Sequence, residues 1–143
     1  LDTHLDALQS RPEFFDVYLE LAVEFRLPIR LSGARTQSLV GFPFRNLAAD
    51  EGVVFPDDLV TASSVGARKV LLDTIPRLQP GVTELALHPA VRSPELEALA
   101  PDADARVDDH ALLVDDVIVR EALEEAGVTL LGYRALRDLM AGA

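Results

Sequence analysis

Residues 10–31 read SRPEFFDVYLELAVEFRLPIRL and combine a helix pattern with a strand pattern that follows it directly. From about residue 11 to 26, six apolar side chains recur at helical spacing and predict one buried face: Phe14, Val17, Tyr18, Leu21, Ala22 and Phe25. Ser10 and Glu13 have the spacing of an N-terminal capping box. LPIRLSG then predicts a short strand from Pro28 to Gly33. A helix that leads straight into a strand is typical of α/β folds.

The alternation of helices and strands continues on both sides of this stretch. LDTHLDAL, before it, predicts a short strand, whereas 34–52 is ambiguous because Gly41 and Pro43 interrupt its helical pattern. Four further elements are expected in chain order: two short strands around a turn in VVFPDDLVTAS, a helix in SVGARKVLLDTIPRLQPG with Val65 inward and Pro76 near its end, and a strand in GVTELALHPAV.

The last third of the chain is mostly helical in pattern. Ser93 is expected to cap a short helix, 101–106 to form a polar bend, and 107–127 to form one or two helices that end at Gly127. VTLLGYR then predicts a last strand, and ALRDLMA a short final helix. We therefore expect residues 1–143 to form a single α/β domain with a mainly parallel sheet.

Composition argues against several classes of function. The 143 residues carry a net charge of −11, from 13 basic and 24 acidic residues, which argues against partners such as nucleic acid or an anionic membrane surface. The chain has no cysteine, so a metal site would need histidine and carboxylate ligands. No apolar run reaches the roughly 20 residues of a membrane span, and no signal peptide is visible, so we expect a cytoplasmic location.

Several reactive side chains stand at predicted strands, whose carboxyl ends carry the functional groups of parallel sheets. Asp2 and His4 share one face of the first predicted strand and would either bind a metal or remain solvated. Arg30 interrupts an apolar strand and would either bind a substrate oxygen or pair with an inward acid. His88 ends the TELAL strand and would either act as a general acid or bond a neighbouring loop. His110, in an acidic stretch, is expected at the surface.

Three segments together resemble one known family. LDTHLDALQSRPEFFDVYLELAVEFRLPIRL is similar to a central stretch of the YdjC-like carbohydrate deacetylases, also called the chitooligosaccharide deacetylase (ChbG) family, whose members carry a TH-x-D-[ST]-H strand before such a helix. PGVTELALHPAV with SPELEAL resembles their G-x-x-E-[LI]-x-x-HPG strand. REALEEAGVTLLGYRAL resembles their closing helix and strand. The similarity covers nearly all of the chain and is weakest over about 33–64.

The resemblance implies a fold and a reaction. The fold would be the C-terminal part of a (β/α) barrel, and the reaction the removal of acetyl groups from an acetylated oligosaccharide with a divalent metal, zinc or magnesium. His4 matches a metal-binding histidine, and Asp2 matches an acid that would orient the site. Arg30 and His88 match an arginine and a histidine that would serve substrate binding or catalysis.

The chain also departs from the family pattern, which adds an acidic DDFG-type motif and a first metal histidine that have no counterpart in these residues. We therefore expect the C-terminal half of a longer protein, inactive alone and without strong metal binding, which forms homo-oligomers or associates with its missing half. Two alternatives remain open: a non-catalytic sugar-binding or assembly module on the same scaffold, and a different metal hydrolase on a similar barrel.

Overall fold

The structure is a computed structural model that describes residues 1–62 and 66–141. Helices predominate, and two strands form a small parallel sheet. The helices are α1 Pro12–Phe25, α2 Ala34–Val40, α3 Phe44–Asp50, α4 Ala67–Thr74, α5 Pro94–Leu99, α6 Ala103–Asp115, α7 Val117–Glu125 and α8 Tyr133–Ala141. The strands are β1 Asp58–Thr61 and β2 Thr83–Ala86, and two 3₁₀ helices span His4–Gln9 and Ile75–Arg77.

The chain divides into two compact units. Unit 1 contains Leu1–Leu59, Gly81–Glu84 and the segment from Leu131 onward, and unit 2 contains Val60–Pro80 and Leu85–Leu130. The mixed α/β content agrees with the predicted class, while the expectation of one domain over the whole chain stays a prediction.

The core of unit 1 forms where α1 packs on extended backbone and on α3. Its buried members are Phe15, Tyr18, Ala22, Ile29, Leu31, Phe44, Ala48 and Val53. The rings of Phe15, Phe42 and Phe44 lie 5.6–5.9 Å apart, two of the three pairs edge to face, a geometry that aromatic side chains favour. Aromatic contacts therefore make up much of this core.

The helix predicted over 11–26 is confirmed, but its predicted inward face is wrong in part. Tyr18 and Ala22 are buried as expected, together with Phe15. The other predicted inward residues are exposed: Phe14, Val17, Leu21 and Phe25. The apolar residues of α1 cover an arc wider than one packing surface, so periodicity alone could not decide which edge turns inward.

The segment before α1 is not the predicted strand. Backbone after Thr3 turns into the 3₁₀ helix, with φ of +53° at both Leu5 and Asp6. The Thr3 hydroxyl accepts a hydrogen bond from the Leu8 amide at 3.0 Å, a local bond of the kind that competes with strand pairing. The predicted capping box is also wrong, because Arg11 is the N-cap residue and the Ser10 hydroxyl donates to the Ala7 carbonyl.

Residues 28–32 are extended and largely buried, but only isolated backbone hydrogen bonds join them to their neighbours. The Leu1 amine donates to the Pro28 carbonyl at 2.6 Å, and the Arg30 amide donates back to the Leu1 carbonyl at 3.0 Å, as between parallel strands. On the other side, the Ile29 amide donates to the Val54 carbonyl at 3.1 Å. The strand predicted here is therefore extended backbone rather than a regular strand, and it lies between two neighbours.

Several other elements follow the sequence prediction. Gly41, at a φ of +87°, separates α2 from α3, and Pro76 lies in the 3₁₀ helix that follows α4. The Ser93 hydroxyl caps α5 by accepting from the Leu96 amide at 3.2 Å. Two helices fill the 107–127 region, and Gly127 follows α7 at a φ of +65°. The prediction for Val65 lies outside the described residues.

Three predictions about strands and bends are wrong. Only Asp58–Thr61 is a strand within VVFPDDLVTAS, so one strand replaces two over its described residues. Helix α6 already begins at Ala103, inside the expected bend. VTLLGYR forms no strand in the described chain: Leu130 and Leu131 are exposed, and α8 starts at Tyr133. A strand needs a neighbour to pair with, and a local pattern does not report one. No described helix is long and apolar enough to cross a bilayer.

The two neighbouring phenylalanines of α1 give a direct test of its orientation. Phe15→Ala should reduce the free energy of unfolding by about 3–5 kcal/mol because it empties a filled core position. Phe14→Ala should cost about 1 kcal/mol or less, because that ring is 47% exposed. Urea unfolding followed by tyrosine fluorescence measures both, since the chain has no tryptophan and both tyrosines lie in unit 1. Equal losses would contradict the described orientation.

Candidate functional site

Arg30 lies on the extended segment of unit 1 and is held by two carboxylates. Its Nε atom donates to Oε1 of Glu84 at 2.7 Å, and its Nη2 atom donates to the same oxygen. Its Nη1 atom donates to Oδ2 of Asp2 at 2.8 Å. The ion pair with an inward acid, one of the two alternatives for Arg30, is therefore present, and a role toward substrate remains a proposal.

Glu84 is the acceptor at the centre of this network. Its side chain, on β2, is only 10% exposed, against 26% for Arg30 and 59% for Asp2. The second carboxylate oxygen of Glu84 accepts a hydrogen bond from the Tyr133 hydroxyl, at the first residue of α8. We call Asp2, Arg30, Glu84 and Tyr133 the Arg30 network. It connects the chain before the first 3₁₀ helix, the extended segment, β2 and α8.

Burial and pairing fix the protonation of the network. The hydrogen bond to Glu84 raises the pKa of Arg30 further above its ordinary value. Burial, followed by the hydrogen bond to Glu84, raises the pKa of Tyr133 well above its ordinary range. Burial also raises the pKa of Tyr18. At neutral pH, Arg30 is therefore charged and both tyrosines are proton donors.

Polar side chains hold the backbone on either side of Arg30. The Tyr18 hydroxyl donates to the carbonyls of Leu1 at 3.0 Å and Arg30 at 3.2 Å. Gln9, only 1% exposed, accepts from the Ser32 amide at 2.8 Å and donates to the Arg30 carbonyl at 3.3 Å. These bonds fix the backbone from which the Arg30 guanidinium extends, so the site is built on a well-supported segment.

A cavity of about 490 Å³ lies beside the network within unit 1. Asp2, Arg30 and Tyr133 line it together with Leu1, Leu27, Pro28, Arg134 and Arg137. Its wall therefore combines apolar surface with charged groups of both signs. Such a mixture suits a polar ligand that offers both hydrogen-bonding groups and an apolar face.

His4 and Asp2 do not share a strand face, because the strand that would align them is replaced by a 3₁₀ helix at His4. His4 is exposed at the start of that helix. Over residues 1–62 and 66–141, no three histidine, aspartate or glutamate side chains lie close enough together to hold a metal ion. The described residues by themselves therefore do not fit a complete metal centre.

His88 belongs to unit 2, two residues beyond the end of β2, and is exposed. Its backbone amide donates to Oδ2 of Asp109 at 3.4 Å. Asp109, 3% exposed, also accepts at 2.8 Å from the amide of Ala67, the first residue of α4. Asp109 thus holds the loop that carries His88. His110 is exposed on α6, as predicted.

Sequence reasoning missed Glu84, Tyr133 and Asp109. Glu84 carried a usable signal, because a lone acid in the apolar TELAL strand needs a basic partner just as Arg30 needs an acidic one. Tyr133 and Asp109 carried none, since both depend on contacts between segments distant in the sequence.

Comparison with known proteins assigns the sequence to a family. The model of the YdjC-like protein family matches residues 1–125, which include Asp2, Arg30, Glu84 and His88. The chain belongs to the YdjC-like family. This confirms the resemblance read from the sequence motifs. A search of curated proteins finds no significant match.

A solved structure shares the fold of this YdjC-like chain. It is the crystal structure of a protein from Enterococcus faecalis V583, described as a "putative cellobiose-phosphate cleavage protein". The TM-score is 0.77 at 23% sequence identity, a level of identity that supports similarity of fold alone. The match covers 94% of this chain and 51% of the other, so the chain spans about half the length of that protein.

The Arg30 network makes Glu84 essential to unit 1. Glu84→Gln should lower the free energy of unfolding by roughly 2–4 kcal/mol, because it removes the buried counter-charge of the Arg30 guanidinium and leaves only the exposed Asp2 carboxylate. Urea unfolding followed by tyrosine fluorescence measures the loss. Glu51→Gln, an exposed change at the end of α3, is the matched control and should stay within about 0.5 kcal/mol of the parent. A Glu84 variant as stable as the control would show that the ion pair contributes nothing net.

Proposed function

We propose that this chain is part of a carbohydrate deacetylase, a hydrolase that removes acetyl groups from an acetylated oligosaccharide. The observation that carries the proposal is the Arg30 network, which sets fixed charges at a cavity wall and whose charged members Asp2, Arg30 and Glu84 lie within the residues that match the YdjC-like family. Family membership supports a carbohydrate-processing role, and the description of the Enterococcus faecalis protein as acting on a phosphorylated disaccharide is consistent with such a role.

The proposed scaffold is the C-terminal part of a (β/α) barrel. Support comes from the parallel pairing of β1 with β2 and from the bridges that Leu1 and Val54 make with the extended segment of Arg30. The similarity of fold to a chain of about twice the matched length is consistent with this view. In such barrels the residues after the strands carry the chemistry.

The reaction has two requirements. A water oxygen must bond to the acetyl carbon, and the bond from that carbon to the sugar nitrogen or oxygen must break while the leaving atom takes up a proton. Arg30 donates three of its five N–H groups to Asp2 and Glu84, which leaves two that can bind a sugar or acetyl oxygen. Asp2, the most exposed member of the network, can accept a sugar hydroxyl or orient the water.

His88 is the residue we propose as the acid that protonates the leaving group. An imidazole can hold and release a proton near neutral pH, and this one is exposed on a loop held by a buried aspartate. The divalent metal stays part of the proposal, with His4 as the ligand that this chain would contribute. The 143-residue chain alone is expected to be inactive.

Acetate release from N-acetylated chito-oligosaccharides tests the function. The complete product of the reading frame that contains this sequence should release acetate. Its Arg30→Lys variant should release acetate on the order of 100-fold more slowly, because lysine cannot reproduce the planar set of guanidinium N–H groups that positions Asp2. Arg35→Lys, an exposed change on α2, is the control and should keep full activity. Binding of the oligosaccharide without acetate release would favour a non-catalytic sugar-binding module instead.

His88 has its own matched test in the same assay. His88→Gln should reduce acetate release on the order of 100-fold, the usual contribution of a general acid, without lowering stability, because the side chain is exposed. His110→Gln, at the other exposed histidine of unit 2, should leave the rate unchanged. Equal rates for both variants would remove His88 from the proposed mechanism while leaving the deacetylase proposal intact.

A further inference from the structure

Helix α1 carries a second apolar surface that the core of unit 1 does not use. Phe15, Tyr18 and Ala22 face the core. A separate row, at positions i, i+3, i+7 and i+11, lies beside them and is exposed by 37–59%: Phe14, Val17, Leu21 and Phe25. We call this row the α1 stripe. It is continuous along three turns of the helix.

The width of the apolar arc indicates that α1 packs against two surfaces. At 100° per residue, the apolar positions from Val17 round to Leu19 cover roughly 200° of the circumference. A helix that packs on a single core needs about half of that arc. Large apolar side chains grouped on an exposed helix face are typical of an interaction site.

A row of acids borders the α1 stripe on its far side. Glu13, Asp16, Glu20 and Glu24 are all exposed and recur at the same helical spacing. Helix α1 contains no lysine or arginine, so the acidic row has no basic residue within the helix. A surface of this kind attracts a partner whose apolar contact residues are edged by positive charge.

We propose that the α1 stripe is the docking surface for an amphipathic helix whose apolar face is bordered by lysine or arginine. A helix is the occupant that fits, because the stripe forms a ridge that packs into the groove of another helix. A second copy joined through its own α1 would place two acidic rows side by side, which like charges oppose. The proposal does not depend on the deacetylase function.

Two synthetic helical peptides serve as probes in a fluorescence-anisotropy assay. Both carry the same leucine face, edged by lysine in one and by glutamate in the other. The 143-residue chain should bind the lysine-edged peptide roughly tenfold more tightly, with a difference that shrinks as salt is added. Val17→Glu should abolish binding, whereas Val91→Glu, which changes an exposed valine of unit 2, should not.

A second variant reverses charge in the acidic row and leaves the apolar residues of the α1 stripe unchanged. The double variant Glu20→Lys and Glu24→Lys should invert the preference, so that the glutamate-edged peptide binds more tightly. Circular dichroism checks that each variant is folded, and the double variant keeps the test valid if Val17→Glu does not fold. Equal binding of both peptides, or no binding, would overturn the proposal. So would a stable dimer, seen by sedimentation, that the double variant strengthens, because the occupant would then be a second copy.

Discussion

The ion pair between Arg30 and Glu84 is the interaction on which the described arrangement of unit 1 depends. Both groups are largely withdrawn from water, and removing such an ion from water costs several kcal/mol unless a counter-charge and hydrogen bonds replace the hydration. Each residue therefore requires the other. Because Arg30 stands on the extended segment and Glu84 on β2, the pair fixes two segments that no regular ladder joins. Tyr133 extends the same constraint to α8.

Hydrogen bonding of buried backbone groups imposes a similar requirement on the rest of unit 1. Its extended backbone has few neighbouring strands that could supply hydrogen-bond partners. Side chains supply the missing partners. The Arg45 guanidinium donates to the carbonyls of Ser32, Pro56 and Asp57 at 2.9–3.0 Å, and Gln9 accepts from the Ser32 amide. Buried peptide groups require such partners, because leaving one unsatisfied costs about as much as a lost hydrogen bond. The buried glutamine and the partly buried arginine are thus structural.

Local sequence patterns predicted where several helices lie better than they predicted which segments those helices pack against. Helix α1 was predictable from its apolar spacing and α5 from its Ser93 cap, because both signals lie within a few residues of the helix itself. Two predictions failed: which face of α1 is buried, and the strand at 128–134. Both features depend on which distant segment of the chain packs against the element, and a local pattern does not contain that information. For the site, Arg30 stood out as a charge in an apolar strand, but its partner Glu84 could be named only once the two strands were adjacent. The prediction that His4 lies on a strand failed because the Thr3 hydroxyl bonds the Leu8 amide and the backbone turns into a 3₁₀ helix at His4.

The charges of the Arg30 network also limit what Arg30 can do. Two carboxylates, of Asp2 and Glu84, pair with the one Arg30 guanidinium, so these three charges together present no net positive charge to the cavity. Direct stabilisation of a developing oxyanion by Arg30 would have to compete with Glu84 and Asp2. Positioning is therefore the role that we propose for Arg30, because Nη1 holds the exposed Asp2 carboxylate while Glu84 holds the guanidinium in place. Arg30→Lys keeps the positive charge but cannot hydrogen-bond Asp2 and Glu84 at the same time in this geometry. A loss of rate in that variant would therefore identify geometry rather than charge as the contribution of Arg30.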